Sequence, residues 1–322
     1  MSKALMSNDN RRESLIERAA DVYDFGAVLR ERQGGPEPLP EHSRGPSPSE
    51  VEDAPAPDLV ATEAASTSLG SAPRLRSGNE IAIINRTLLR DNGFIVPDAP
   101  VGALAEEFRL VKRQLLLRAA GDKRVATAKD RMILVCSAQP NEGKTFCAVN
   151  LALSLASERD TEVLLVDADV AKPQVLTTLG LESAVGLIDA IADAHADVER
   201  FIIQTDIPKL SILPAGKATN ADTELLASAR AAAVIESLTA NHPRRVVILD
   251  SAPALAASPA AVLAHRAGRV LMVVRADTTS EAELREAIAL LDGCDDIALL
   301  LNGTSFFGTN RTYGSYYGSE SS

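Results

Sequence analysis

The chain has 322 residues, of which 46% are hydrophobic, and a formal net charge of -11. This length allows one large α/β domain with extensions or two smaller domains, each with a sizeable core. The acidic balance argues against a general nucleic-acid-binding protein. Cys136, Cys147 and Cys294 show neither CxxC nor metal-ligand spacing, which predicts small buried side chains in a reducing compartment. No apolar signal sequence follows Lys3 and no clean membrane span is found, so we expect a soluble, cytoplasmic protein.

The N-terminal part of the chain differs in composition from the rest. Residues 1–32 contain apolar side chains at helical spacing, which predicts an amphipathic helix that docks on this protein's own body or on a partner. Residues 33–78 are rich in Pro, Gly, Ser and Glu, which predicts a disordered linker. Folded-type patterning resumes over residues 79–304, and a flexible tail is predicted for residues 305–322.

A charged helix is predicted over 103–120, directly before the first buried strand. Glu106, Arg109 and Lys112 recur every three residues in it, so we expect them to line one side of that helix. On composition alone, a solvated charged face is the simpler interpretation of this triplet.

A phosphate-binding loop follows the predicted strand Met132–Cys136. Residues 138–145 read AQPNEGKT, which is the GxxxxGK[ST] pattern with Ala138 in place of the first glycine. In such loops, backbone N–H groups surround phosphate oxygens at the positive end of the next helix. The lysine, here Lys144, reaches the β- and γ-phosphates, and the hydroxyl of Thr145 ligates Mg²⁺. The strand context on both sides predicts a nucleotide site.

Carboxylates end two further predicted strands. The run 163–166 leads directly into Asp167 and Asp169, and the run 246–249 leads into Asp250, as in a Walker B strand. Six apolar runs alternate with helical segments, which predicts an α/β P-loop fold with a mostly parallel sheet and helices on both faces. The predicted helices in the second half are 187–201, 224–239 and 280–291.

The C-terminal tail concentrates the aromatic residues of an aromatic-poor chain. Tyr313, Tyr316 and Tyr317 lie within five residues among Gly and Ser, although the protein has only four tyrosines. Such a segment has no core for these rings to serve, so their concentration favours a functional role.

Together these motifs resemble the bacterial tyrosine kinases that regulate polysaccharide export, and in particular the exosortase-associated, or polysaccharide-biosynthesis, tyrosine autokinases. The resemblance extends from about Ala103 to the C-terminus. It rests on five motifs in the same order, namely EEFRLVKR (106–113), AQPNEGKT (138–145), VLLVDAD (163–169), VVILDS (246–251) and the tyrosine cluster.

The resemblance implies ATP-dependent, Mg²⁺-dependent phosphorylation of tail tyrosines in a neighbouring subunit. Lys144 would neutralise phosphate charge, Asp167 would accept the tyrosine proton, and Thr145, Asp169 and Asp250 would hold the metal. Nucleotide contacts are implied for Pro140, Asn141, Glu142, Gly143, Lys144, Thr145, Phe146 and Asn302, the last against adenine. Autophosphorylation is implied at Tyr313, Tyr316 and Tyr317.

The resemblance also implies partners. Glu106, Arg109 and Lys112 match the family's ExxRxxR, the helix that joins subunits into a ring-like homo-oligomer. A membrane chain-length determinant, or polysaccharide co-polymerase, would activate the kinase and recruit it to the inner face of the plasma membrane.

Several residues depart from the family pattern. Asn141 stands where glycine is usual, and Ala171 and Lys172 replace arginines that follow the second acidic motif. The alternative class is a ParA/MinD-like switch ATPase, which has the same fold. That class carries a lysine early in the phosphate loop, where this chain has Gln139, and this observation together with the tyrosine tail favours the kinase.

Overall fold

The computed structural model describes residues 81–121, 127–217 and 222–304. Within these residues one sheet has the strand order β3-β4-β2-β5-β1-β6-β7. All neighbouring strands pair in parallel except β3 and β4, which are antiparallel. The strands are β1 (Met132–Ser137), β2 (Glu162–Ala168), β3 (Ile203–Gln204), β4 (Leu210–Leu213), β5 (Arg245–Ser251), β6 (Arg269–Arg275) and β7 (Ile297–Asn302).

The six predicted strands and the mostly parallel sheet are confirmed, and β3 is an additional strand that the sequence reading missed. A two-residue strand is too short to show the alternation that marks longer strands. The described helices are α1 (Arg86–Asp91), α2 (Ala103–Gly121), α3 (Lys144–Ala156), α4 (Val175–Leu179), α5 (Leu187–Ala192), α6 (Asp222–Leu226), α7 (Ala229–Ala240), α8 (Pro259–Ala264) and α9 (Glu281–Leu290).

Both faces of the sheet are buried because side chains alternate along each strand. In β1, Met132 and Leu134 point into one hydrophobic core, and Ile133 and Val135 point into the other. Helix α3 belongs to the second core, where all of its residues except Phe146 are buried. The three cysteines are buried and free, as predicted.

Two predicted helices are wrong in extent. The predicted helix 187–201 ends at Ala192, because the Arg230 guanidinium draws together the carbonyl oxygens of Ala190, Asp193 and Ala196 at 3.4, 3.2 and 2.7 Å. The chain after Ala192 therefore turns around the guanidinium of Arg230, which belongs to the helix Ala229–Ala240.

The predicted helix 224–239 is two helices, α6 and α7. Ser228 separates them because its hydroxyl accepts a hydrogen bond from the N–H of Ala231 at 3.1 Å and so caps the start of α7. Helix 280–291 is confirmed as α9, with Ser280 and Glu283 forming a capping box.

The order of the strands explains where a site can form. Strand β1 lies between β5 and β6, and β2 lies on the far side of β5. In open parallel sheets, ligands bind outside the carboxyl ends of the strands, at the point where the order of successive strands reverses. Here the carboxyl ends of β1, β2 and β5 meet at one edge of the sheet.

Helix α2 is attached to α3 by a buried cation. Lys112 Nζ donates to the carbonyl of Ser154 at 2.9 Å and to Ser157 Oγ at 3.1 Å, and it pairs with Glu158 at 2.6 Å. These groups lie at the C-terminal end of α3, where a positive charge is favourable.

The expectation that Glu106, Arg109 and Lys112 share one side of the helix is wrong for Lys112. In a helix with 3.6 residues per turn, side chains three positions apart point in directions that differ by about 60° around the helix axis. The side chain of Arg109 is 50% exposed and pairs with Glu106, whereas Lys112 is buried. Two members of the triplet therefore face solvent and the third faces the core.

The predicted N-terminal helix (1–32), the linker (33–78) and the tyrosine tail (305–322) lie outside the described residues. Among the residues that the structure does describe, no helix is both long enough and apolar enough to span a lipid bilayer.

Substitution of Lys112 by Met should lower the free energy of unfolding by about 1–3 kcal/mol, since it leaves buried acceptors at the end of α3 without their donor. The matched variant Arg109→Met should change it by less than about 0.5 kcal/mol, because an exposed ion pair contributes little. Urea unfolding followed by circular dichroism checks both. Equal effects of the two substitutions would contradict the assignment of Lys112 to the core.

Candidate active site

The phosphate loop is formed as the sequence predicts. It connects the end of β1 to α3, and Gly143 at the start of α3 has φ +95°, a left-handed conformation that favours glycine. Asn141 also has a positive φ of 65°, which agrees with the expectation that asparagine tolerates this backbone. The first N–H groups of α3 have no partner within the helix, so this end is suited to bind phosphate.

A buried ion pair lies next to the loop. Lys144 Nζ is 2.6 Å from Asp169 Oδ2, and both side chains are nearly inaccessible to solvent. The other oxygen of Asp169 accepts a hydrogen bond from the N–H of Lys172 at 3.2 Å. The lysine is therefore already placed at the start of α3, with a carboxylate as its partner.

Two further carboxylates are set side by side by the sheet. Asp167 at the end of β2 and Asp250 at the end of β5 are direct partners in the parallel register. Both side chains are 1% exposed, and one oxygen of each, Oδ1, has no hydrogen-bond partner. A buried carboxylate oxygen without a donor is costly, so both atoms are available for a ligand.

The two carboxylates have different surroundings. Asp167 Oδ2 accepts hydrogen bonds from the N–H groups of Gln174 and Val175, each at 3.0 Å, at the start of α4. Asp250 forms a side-chain hydrogen bond with Thr145 and lies near the positive charge of Lys144. In both carboxylates, Oδ1 is left without a hydrogen-bond partner.

Burial is the largest cause that raises the pKa of both groups. Burial, followed by the negative charge of Asp250, raises the pKa of Asp167 to about 7, and the Val175 N–H offsets part of this effect. Burial raises the pKa of Asp250 to about 6, and Lys144 and Thr145 act in the opposite direction. A bound cation would favour the ionised forms of both carboxylates and so lower their pKa values.

These residues fit Mg²⁺ bound together with a nucleotide. Three carboxylates and one hydroxyl are hard oxygen donors, and the unpartnered oxygens of Asp167 and Asp250 could accept metal-bound water. In the described part of the chain, no group of three His, Cys, Asp or Glu side chains forms a metal site by itself. Mg²⁺ is usually bound through one or two carboxylates, substrate phosphates and water.

The structure also shows where the remaining predicted residues lie. The ring of Phe146 packs against Phe94 at a centroid distance of 4.8 Å. The amide of Asn302 donates to the carbonyl oxygen of Glu142 at 2.9 Å, which places Asn302 against the loop itself. Glu106, Arg109 and Lys112 lie on α2, outside this site, and the three tail tyrosines lie outside the described residues.

Sequence reasoning missed the contacts on the other side of the loop. The carboxylate of Glu142 is bonded to the hydroxyl of Thr279, and the amide of Gln139 donates to Glu283 at 3.1 Å. A cavity of about 360 Å³ lies on this side, between the loop and residues 275–283. These partners are more than 130 residues apart in the chain, so no local pattern in the sequence indicates them.

Known proteins similar to this chain include a bacterial tyrosine-protein kinase and a polysaccharide transport protein. A family model described as AAA domain matches residues 130–293, more than half of the chain. The succinoglycan biosynthesis transport protein ExoP of Rhizobium meliloti (strain 1021) is 33% identical over 197 residues, which are 60% of this chain and 24% of ExoP. The tyrosine-protein kinase YwqD of Bacillus subtilis (strain 168) is 27% identical over 238 residues, which are 73% of this chain and 95% of YwqD.

A solved structure adds to these relatives. The crystal structure of the VpsO kinase domain superposes with a TM-score of 0.51 at 27% identity and covers 62% of this chain and 95% of that one. Against several of its curated relatives, this chain spans only 23% to 27% of the relative's length. With its phosphate loop, acidic strand ends and parallel sheet, the chain belongs to the AAA domain family, and it is similar to bacterial tyrosine-protein kinases.

Proposed function

We propose that this protein is an ATP-dependent tyrosine autokinase that phosphorylates the C-terminal tail of a neighbouring subunit and regulates polysaccharide synthesis or export. The observation that carries the proposal is the site at the carboxyl ends of β1, β2 and β5. There, Lys144 and three buried carboxylates lie beside a preformed phosphate loop. The relatives named as tyrosine-protein kinases and as a succinoglycan transport protein support the choice of reaction and pathway.

The site residues suggest how the chain binds the substrate ATP. The N-terminal N–H groups of α3 would bind phosphate oxygens, and Lys144 would leave Asp169 to neutralise the β- and γ-phosphates. Bound Mg²⁺, held by Thr145, Asp169 and Asp250, would supply charge neutralisation on the same phosphates. Positioning and charge neutralisation are the main requirements of phosphoryl transfer.

Asp167 is the group we assign as the base. Its Oδ2 is held by two backbone N–H groups while its Oδ1 is unpartnered, so the carboxylate is oriented with one oxygen free to accept a proton. The tyrosine hydroxyl would give its proton to this oxygen as the tyrosine oxygen bonds to the γ-phosphorus. The bond from that phosphorus to the bridging oxygen breaks, and ADP leaves.

Assembly would bring the tail of one subunit to the site of another. The exposed residues Glu106 and Arg109 are the part of the helical triplet that can reach a neighbour, whereas Lys112 is occupied within its own subunit. We further propose that a membrane protein of the chain-length-determinant type activates the kinase and holds it at the inner face of the plasma membrane. The family resemblance supports these two proposals.

Purified protein incubated with Mg²⁺ and labelled ATP should become phosphorylated at Tyr313, Tyr316 and Tyr317, as mapped by mass spectrometry. Lys144→Met should abolish the label because it removes the charge that neutralises the transferred phosphate. Lys129→Met changes an exposed lysine outside the site and is the matched control. ATP hydrolysis without any tyrosine label would contradict the kinase proposal and favour a switch ATPase.

Transfer between subunits has its own test. When the Lys144→Met protein, with its tail intact, is mixed with a variant in which all three tail tyrosines are Phe, label should appear on the Lys144→Met chain. Neither variant should be labelled alone. Label that stays absent in the mixture, while wild type is labelled, would show transfer within one subunit.

Asp250→Asn should have opposite effects on stability and on activity. The substitution removes one of several crowded buried carboxylates, so we expect the melting temperature without nucleotide to rise by about 3–6 °C. Tail labelling should fall at least about 100-fold because a metal ligand is lost. The exposed Asp292→Asn variant should alter neither quantity. A melting temperature that falls, with labelling intact, would contradict the role assigned to Asp250.

A further inference from the structure

The side chain of Glu142 is buried beneath the phosphate loop although it carries a carboxylate. It is 2% exposed, and its two oxygens are used inside the protein. Oε2 accepts a hydrogen bond from the backbone N–H of Gln139 at 2.9 Å, across the turn of the loop. Oε1 accepts a hydrogen bond from the hydroxyl of Thr279, which lies in the connection between β6 and α9. One side chain therefore closes the loop on itself and attaches it to a distant segment.

A second attachment acts on the backbone of the same residue. The amide of Asn302 donates to the carbonyl oxygen of Glu142 at 2.9 Å. The same amide nitrogen lies only 2.1 Å from the position that a Cβ on Gly143 would occupy. Any side chain at Gly143 would displace Asn302, so the glycine is required for this contact as well as for its positive φ.

The hydroxyl of Thr279 is itself held in a defined orientation. Its Oγ1 accepts a hydrogen bond from the N–H of Arg275 at 3.0 Å, and the N–H of Thr279 donates to the carbonyl of Arg275 at 3.1 Å. The hydroxyl proton is left to point at Glu142. The connection from Arg275 to Ser280 is thus a rigid support for the loop, on the opposite side of β1 from the acidic residues at the ends of β2 and β5.

From these contacts we infer that Glu142 is a positioning residue, which holds the backbone of the phosphate loop in its nucleotide-binding shape through Gln139 and Thr279. Both of its carboxylate oxygens are engaged by groups of the protein itself, the N–H of Gln139 and the hydroxyl of Thr279. The inference rests on the proposed function only in requiring that ATP binds at this loop. The loop needs two hydrogen bonds from this residue, whereas a negative charge beside a triphosphate is unfavourable.

Glutamine can preserve both contacts. Its Oε1 can accept from the N–H of Gln139, and its Nε2 can donate to the oxygen of Thr279. Alanine preserves neither contact. Thr279→Val removes only the contact to the support, and Thr279→Ser keeps it. These four variants distinguish the effect of losing the hydrogen bonds that hold the loop from the effect of losing the negative charge.

The experiment measures the Kd for Mg²⁺·ATP by isothermal titration calorimetry on the full-length wild type and on each variant. We expect Glu142→Ala to weaken binding at least about tenfold and Glu142→Gln to stay within about threefold of wild type. Thr279→Val should lie between them, and Thr279→Ser should match wild type. Glu236→Ala, which breaks an exposed ion pair with Arg266, is the control for loss of a glutamate.

A second readout excludes a purely structural effect. Where tail labelling is measurable, Glu142→Ala should raise the KM for ATP with a much smaller change in kcat, and Glu142→Gln should restore the KM. If Glu142→Ala does not fold, the comparison of Thr279→Val with Thr279→Ser gives the same test.

Three results would overturn the inference. They are an unchanged Kd in Glu142→Ala, an equal loss in Glu142→Gln and Glu142→Ala, and a wild-type protein that binds no ATP. A wild type that binds ATP without labelling its tail would refute the kinase proposal alone, and the Kd series would still decide the role of Glu142.

Discussion

The site depends on the crowding of negative charge at the carboxyl ends of two neighbouring strands. The register of β2 and β5 places Asp167 directly opposite Asp250, and both side chains are buried. Lys144 offsets only part of this charge through its contact with Asp169. Such an arrangement is unfavourable for the protein alone, and under the proposed function a bound cation would offset this cost.

The phosphate loop lies between this acidic side and a second side, which is formed by residues 275–283 and Asn302. On the acidic side, the lysine and the carboxylates are the groups that we propose to bind the nucleotide and its cation. On the other side, Glu142 is bonded to Thr279 and Asn302, and these contacts belong to the protein alone. A loop supported on one side and reactive on the other can accept phosphate without reorganising its backbone, which is the basis of preorganised electrostatic binding.

Helix α2 connects this site to the outer surface of the domain. Its buried Lys112 is bonded to the C-terminal end of α3, and α3 carries Lys144 at its other end. The exposed Arg109 lies one turn away on the same helix. The exposed face of α2 is therefore connected to the phosphate loop through one buried ion pair and helix α3.

Local sequence was sufficient for much of the architecture. The apolar runs predicted six strands, the glycine-lysine-threonine turn predicted the loop, and aspartates after apolar runs predicted the acidic strand ends. These features depend on neighbours within a few residues, where hydrophobic periodicity and turn chemistry act. The family could be recognised for the same reason, since its motifs are short and contiguous.

Only the tertiary structure decided which side chains serve the loop and which serve the core. Lys112 is buried because it turns around α2 toward the end of α3, and Asn302 contacts the loop because β7 ends beside it. Helix α5 ends early because Arg230 binds its last carbonyl groups from another helix. Each of these outcomes is a contact between residues tens to hundreds of positions apart. The spacing of residues along the chain carries no information about such contacts until the sheet has brought them together.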